Sequence, residues 1–235
     1  MEGDHVSNLT KAEFIRAGAD VHVYIATPAT SIASNFHVSL IREIPRLLGA
    51  GHSVTYAHLA GHVHVDDARN LLLDDYLQSG ASHILWWDAD VAAEPGASLK
   101  LLSHDVDIVG GAYPLKDGSQ RFPVRLGVRS DDQPPAGLLP AEVLPTGFLR
   151  VRRNAFWPVV KTAQTIGLDG QMVPLVFERG VIETEHGLER VGGDANFCRK
   201  ASAAGLKLYC DPTIIFTHQG PVDFAGRLAD HLGDK

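Results

Sequence analysis

Two aspartates one residue apart, Asp88 and Asp90, close the apolar run His-Ile-Leu-Trp-Trp that begins at residue 83. Carboxylates are hard oxygen donors suited to Mg²⁺ or Mn²⁺, ions that commonly bridge protein carboxylates to substrate phosphates. A strand buried on both faces reads as continuous apolar residues, and ligands of open α/β sheets collect where such strands end. The spacing therefore predicts a divalent-cation site that accepts a diphosphate; the plainer alternative is a solvated turn after a strand. Trp86 and Trp87 sit in the apolar strand itself and read as core rather than as sugar platforms.

Those carboxylates need a scaffold, and the first half of the chain supplies an alternating one. Residues 21–26 (VHVYIA) are apolar and β-branched, with Thr27-Pro28 as a stop. From about Ser34, Phe36, Leu40, Ile44 and Leu47 recur at helical spacing before Gly49 and Gly51, and Pro45 inside the run predicts a kink. A second strand is expected over 53–59. A helix follows, capped by Asp66 or Asp67, with Leu72, Leu73, Tyr76 and Leu77 on its apolar face and Gly80 at its end. A strand at 83–88, a short helix near 97–103 and a strand ending in Gly110-Gly111 complete a β, α, β, α pattern, which implies an α/β fold with a mostly parallel sheet.

After Tyr113 the pattern changes. Residues 115–145 hold five prolines around the alternating Phe122, Val124, Leu126 and Val128, which suggests a hairpin or an irregular insert. Asp194 then precedes the helical stripe Phe197, Cys198, Ala201 and Ala204, stopped at Gly205, with strands expected near 206–209 and 213–216.

Composition narrows the function classes. A chain of 235 residues, 45% hydrophobic and 21% charged, suits one sizeable domain. The net charge of -7 and pI near 5.9 argue against sequence-independent nucleic-acid binding, which needs Lys and Arg against phosphates. The start, MEGDHVSNLTKAEF, has no export pattern and no run of about 18 apolar residues occurs, so a cytoplasmic protein without a transmembrane segment is expected. Cys198 and Cys210 lack metal-site spacing and read as reduced thiols.

Five segments, in order over roughly residues 21–222, resemble a glycosyltransferase of the GT-A fold, close to the large family-2-like group of nucleotide-sugar enzymes: VYIATP, DDARN, ILWWDADV with DIVGGAYPLK, PTGFLRVRR, and GGDANFCRKASAAGLKLYCDPTIIFTHQG. The resemblance implies a Rossmann-like sheet with helices on both faces. It implies a single domain over 21–222, with a nucleotide-binding half at 21–113, an acceptor-side half at 114–222, an N-terminal extension at 1–20 and a tail at 223–235. It also implies a UDP- or GDP-linked sugar donor, a carbohydrate or other hydroxyl acceptor, and Mn²⁺ or Mg²⁺ as cofactor. By residue, it assigns Thr27, Pro28, Arg69, Asp88, Ala89, Asp90, Gly111 and Tyr113 to the nucleotide sugar, Thr146 and Gly147 to the acceptor side, and Asp88, Asp90 and His218 to the metal. Asp194 falls at the general base, although an aspartate before a helical stripe also looks like an N-cap. Gly193 departs from the pattern, since relatives carry an acid there.

Two other readings compete. His62-Val-His64-Val-Asp66 resembles part of the His-x-His-x-Asp-His pattern of zinc hydrolases, with Asp67 where the last His would stand. A non-catalytic nucleotide-sugar or carbohydrate-binding protein on the same scaffold is the third class.

Overall fold

In the computed structural model, which describes residues 8–127, 133–185 and 187–232, strands and helices alternate at first: β1 (Leu9–Phe14), β2 (His22–Pro28), α1 (Ser34–Gly49), β3 (Ser53–Leu59), α2 (Val65–Ser79), β4 (His83–Trp87), β5 (Val91–Ala93), α3 (Ala97–Ser103) and β6 (Ile108–Gly111). Strands dominate afterwards: β7 (Arg125–Leu126), β8 (Leu139–Val143), β9 (Phe148–Arg152), then α4 (Arg153–Val160), β10 (Thr165–Leu168), β11 (Gln171–Pro174), β12 (Gly180–Thr184), β13 (Gly187–Val191), α5 (Gly193–Ala203), β14 (Leu208–Asp211), β15 (Phe216–Gln219) and β16 (Asp223–Gly226). The expected insert after Tyr113 delivers two short strands, and Val128 lies outside the described residues.

One nine-stranded sheet orders these as β1-β3-β2-β4-β9-β6-β14-β8-β7. It is mixed, which corrects the expectation of a mostly parallel sheet. β2 runs parallel to β3 and β4, and β14 parallel to β6, whereas β9 is wedged antiparallel between β4 and β6, and β1, β7 and β8 are antiparallel to their neighbours. An apolar run buried on both faces reads the same whichever way the chain travels, so the residues of β9 announce a strand but not its direction.

The pleat divides the core in two. Val23, Ile25, Leu85, Trp87 and Val109 pack with Phe36, Leu40 and Leu47 of α1 and with Ala97 and Leu101 of α3. The alternate residues Tyr24, Ala26, Ile84, Trp86 and Ile108 meet Leu72, Leu73 and Tyr76 of α2, Phe156 of α4 and Phe197 of α5. Helices therefore cover both faces, and both tryptophans are core, as their strand position predicts. Each fully buried large apolar side chain stabilises the fold by roughly 1.5–3 kcal/mol, which is why these central strands anchor everything attached to their ends.

A second, smaller sheet, β16-β15-β5, hangs from the end of β4. α1 ties it down: Ser39 Oγ donates to Ala93 O at 2.8 Å, and the Glu43 carboxylate accepts the Gly96 and Ser98 N–H groups at the start of α3. Two helix starts differ from expectation. α2 is capped by His64 and α5 by Gly192, neither through a side chain, so Asp66, Asp67 and Asp194 lie inside first turns. Their carboxylates are thereby released from capping.

Candidate active site

The turn after β4 separates the two aspartates. The Asp88 N–H donates to Gly147 O at 3.0 Å and the Val91 N–H to Asp88 O at 3.1 Å, which folds residues 88–91 back on themselves. The side chains then point to different partners. Asp88 accepts from Arg69 Nη2 at 3.1 and 3.3 Å, while Asp90 pairs with Lys116 and faces His218.

Arg69, on α2 and only 4% exposed, is the centre of the first cluster. Its Nη1 donates to Asp194 Oδ1 at 2.7 Å, Asp66 Oδ1 lies 4.0 Å from the same nitrogen, and the guanidinium stands over the Phe177 ring. Burial alone would lower the affinity of Arg69 for its proton, but Asp194 and Asp88 outweigh it and raise its pKa. For Asp88 burial wins, and despite Arg69 its carboxyl lies above the ordinary range. Asp194 is fixed from a second side: Thr146 Oγ1 donates to Oδ1 at 2.8 Å and the Thr146 N–H to Oδ2 at 3.2 Å. A carboxylate offers about four lone-pair directions, so Oδ2 keeps acceptor capacity.

The second cluster is built by strand register. β15 runs antiparallel to β5 with His218 opposite Val91, and the Gln219 N–H donates to Asp90 O at 2.8 Å, which carries the late histidine to the early aspartate. His218 Nδ1 donates to Pro114 O at 2.8 Å, since a carbonyl can only accept, and this leaves Nε2 as the nitrogen that faces Asp90 Oδ1, 3.6 Å away. The Tyr113 ring packs edge-on against the imidazole at 4.8 Å between centroids and holds its plane. Burial would raise the Asp90 carboxyl, but His218 and Lys116 overcome it and hold it at about 2.

Asp90, Ala89 and Lys116 line a cleft of about 480 Å³, together with Pro28, residues 29–33 of the following loop, Gln219 and Gly220. Asp88 reaches the same cleft from its far side. Of the other residues assigned by resemblance, Thr27, Gly111, Tyr113, Thr146 and Gly147 are buried behind it. The Phe216 ring covers Gly111 and the Tyr113 ring covers Gly147, in each case leaving no space for a Cβ. Arg69 is engaged by Asp88 and Asp194 and does not itself line the cleft, so it ties α2 to the turn after β4 and to α5.

Among the described residues no group of three or more His, Cys, Asp or Glu side chains converges as a metal cage, and Asp88, although it lines the cleft, is turned to Arg69. Asp90 and His218 Nε2 face one another at 3.6 Å, with the Lys116 ammonium on Asp90. The hydrolase pattern is not assembled: His62 pairs with Asp169, His64 is exposed at the head of α2, and Asp66 is bound to Arg69 and Arg179.

Sequence reasoning missed Lys116 and the placement of Asp66. Lys116 ends the quoted segment DIVGGAYPLK, and a cation three residues past Tyr113 was its available signal. Asp66 stood out as a cap and in the hydrolase pattern, and neither signal pointed to Arg69 and Gly193.

At the level of class, the chain is an α/β protein built on a large mixed sheet with five α-helices among the described residues. No family model matches it, and no curated protein matches it in sequence. Among solved structures it is similar to A197 from STIV, with a TM-score of 0.54 and 14% identity over 89% of this chain and 91% of that one, a likeness of fold alone. It also overlaps a glycosyltransferase involved in the glycosylation of the major capsid of PBCV-1, with a TM-score of 0.33 and 11% identity over 57% of this chain and 61% of that one, an overlap too slight to bear on activity. No described helix is long and apolar enough to cross a membrane.

Proposed function

We propose that this chain is a metal-dependent glycosyltransferase of the GT-A type, moving a sugar from a UDP- or GDP-linked donor to the hydroxyl of a carbohydrate or another acceptor. The observation that carries the reading is the meeting of Asp90, on the cleft, with His218 Nε2, beside Asp88, which lines the same cleft and leads through Arg69 to Asp194 in one hydrogen-bonded chain. Two protein ligands leave a small hard cation room for diphosphate oxygens and water, which is how Mg²⁺ is commonly held. Bound there, the cation would neutralise charge developing on the leaving diphosphate.

The chain's own residues do the rest. Lys116 turns its ammonium from Asp90 to the diphosphate when a cation takes the carboxylate. Pro28, Ala89 and the 29–33 loop line the donor cleft. Asp194, held by Arg69 and by both donors of Thr146, takes the proton of the acceptor hydroxyl as its oxygen attacks the anomeric carbon.

The test is a thermal-shift screen of nucleoside diphosphates with and without Mn²⁺, followed by turnover of the matching sugar donor. A ligand that binds only the folded form at about 100 times its Kd stabilises by about 2.7 kcal/mol, a readily measured shift. One nucleoside diphosphate should stabilise the chain only with Mn²⁺, and Asp90→Ala should abolish both the shift and the turnover. If no nucleoside diphosphate shifts the transition with the metal present, the reading fails; binding without donor hydrolysis or transfer across a panel of acceptors would leave a nucleotide-sugar-binding protein instead.

A further inference from the structure

Gly193 is the first residue of α5, and its φ is not in the positive region that favours glycine. In a helix interior glycine costs roughly 1 kcal/mol against alanine. Backbone conformation therefore does not explain it, but space does: a Cβ built on Gly193 would run into the Asp66 carboxylate, and all three of its nearest neighbours are atoms of that side chain. The glycine is the seat of an aspartate from another helix.

Asp66 is an unusual buried acid. It is 8% exposed, yet among the described residues its oxygens accept no hydrogen bond and have only two ion pairs, Arg69 Nη1 at 4.0 Å and Arg179 Nε at 3.6 Å. Burial, with Asp194 as a second cause, raises its pKa, opposed by Arg69 and Arg179. Its position is also specific: Arg69 Nη1 stands between Asp66 and Asp194, while Nη2 stands on Asp88, so one guanidinium is stretched among three carboxylates.

We propose that Asp66 is a positioning residue of this site: seated on Gly193, it opposes Asp194 across Arg69 Nη1 and so fixes where the Asp194 carboxylate stands at the start of α5. The inference rests on the reading of Asp194 as the proton acceptor. α2 thus contributes an acid at the place where α5 has only a hydrogen. Without Asp66, Nη1 is free to follow Asp194, and the angle of the acceptor carboxylate is lost while the donor cleft, lined by other residues, is untouched.

The experiment uses the full chain and four variants: Asp66→Ala, Asp66→Asn, Gly193→Ala, and the double variant Asp66→Ala with Gly193→Asp. Turnover, donor KM, the donor-induced thermal shift and the unfolding midpoint are read on each. The single variants should lose at least tenfold in kcat with donor KM and donor shift within twofold of wild type. The double variant, which returns an acid to the same space from α5, should recover at least threefold over Asp66→Ala.

Gly193→Ala displaces the Asp66 carboxylate without removing it, so its kcat should fall with the acid still present, and the recovery expected of the double variant separates positioning from folding. Turnover within twofold of wild type in Asp66→Ala and Gly193→Ala overturns the proposal. So does a loss of kcat that tracks a falling midpoint with no recovery in the double variant. A wild-type chain inert toward every donor overturns the role of Asp194 itself, and this inference with it, which the wild-type control distinguishes from the other two results.

Discussion

Arg69 concentrates the most charge at the site, and its removal is the most informative single change. Breaking a buried pair by deleting one partner typically costs about 3–5 kcal/mol, because the remaining charge is stranded. Here the partners are Asp66, Asp88 and Asp194. Arg69→Met, which keeps the apolar stem against Phe177, should destabilise the chain within that range in denaturant unfolding near pH 7. The deficit should shrink as pH falls, since stranded carboxylates are relieved by protonation; a deficit independent of pH would mean that packing, not charge, is what Arg69 supplies. Asp194→Asn tests the chemistry at the same scale. The asparagine Oδ1 can still accept from Arg69 and Thr146 Oγ1 and loses only the bond from the Thr146 N–H, so the fold and the donor affinity should hold, while general-base catalysis is typically worth about 100- to 10,000-fold. A drop of at least a hundredfold in kcat with donor KM within threefold is expected, and an unchanged kcat would leave Asp194 a structural link between α5 and α2.

At the scale of elements, the site depends on register. β4 fixes the turn that spreads Asp88 from Asp90, and β15 fixes His218 opposite Val91. The start of β4 also carries a pH-sensitive group. Burial lowers the His83 pKa to about 4, with Arg150, Arg152 and His52 adding to the effect, and Ser82 Oγ lies 2.9 Å from Nδ1. A histidine whose folded pKa is lowered contributes stability that is complete above its unfolded value near 6.5 and is lost as pH falls through that value toward about 4. The unfolding midpoint should therefore decline between those limits, and His83→Gln should flatten that part of the profile; an equal decline in the variant would put the sensitivity elsewhere. These elements were unevenly legible in the amino-acid order. β3 and α3 were readable to the residue from apolar spacing and glycine stops, and the Asp-x-Asp turn from the apolar run before it. Strand direction was not, because β9 looks alike either way. Nor were β5 and β15, whose short sequences matter only as a pair, nor the neighbours of Lys116, which leaves an irregular segment. That Asp66 and Asp194 meet at Arg69 was not legible either, because a sequence gives the distance along a helix and not the partner across from it.

For the whole molecule, the consequence is that a donor would touch stretches far apart in the chain and near one another in space. The cleft is assembled from the loop after β2, the turn after β4, Lys116 and the end of β15, while the β12–β13 hairpin and its flank, with Arg179 and Arg190, line a separate hollow of about 550 Å³. The core beneath the cleft is shared, since Trp87, Phe148 and Phe216 pack ring to ring between the main sheet and the small one. Binding energy spent at the cleft should therefore stabilise both sheets, whereas local opening of surface hairpins should go on undisturbed. Hydrogen exchange on the chain with a nucleoside diphosphate and Mn²⁺ should slow amides at residues 29–33, 89–91 and 218–220 together, by at least fivefold, and leave residues 180–184 within twofold of the free chain. The same ligand without Mn²⁺ should slow His218 far less, because His218 does not line the cleft and would be joined to the ligand through the cation. Protection confined to the hairpin, or equal protection with and without the metal, would detach the ligand from the Asp90–His218 cleft and remove the basis for reading this fold as a nucleotide-sugar enzyme.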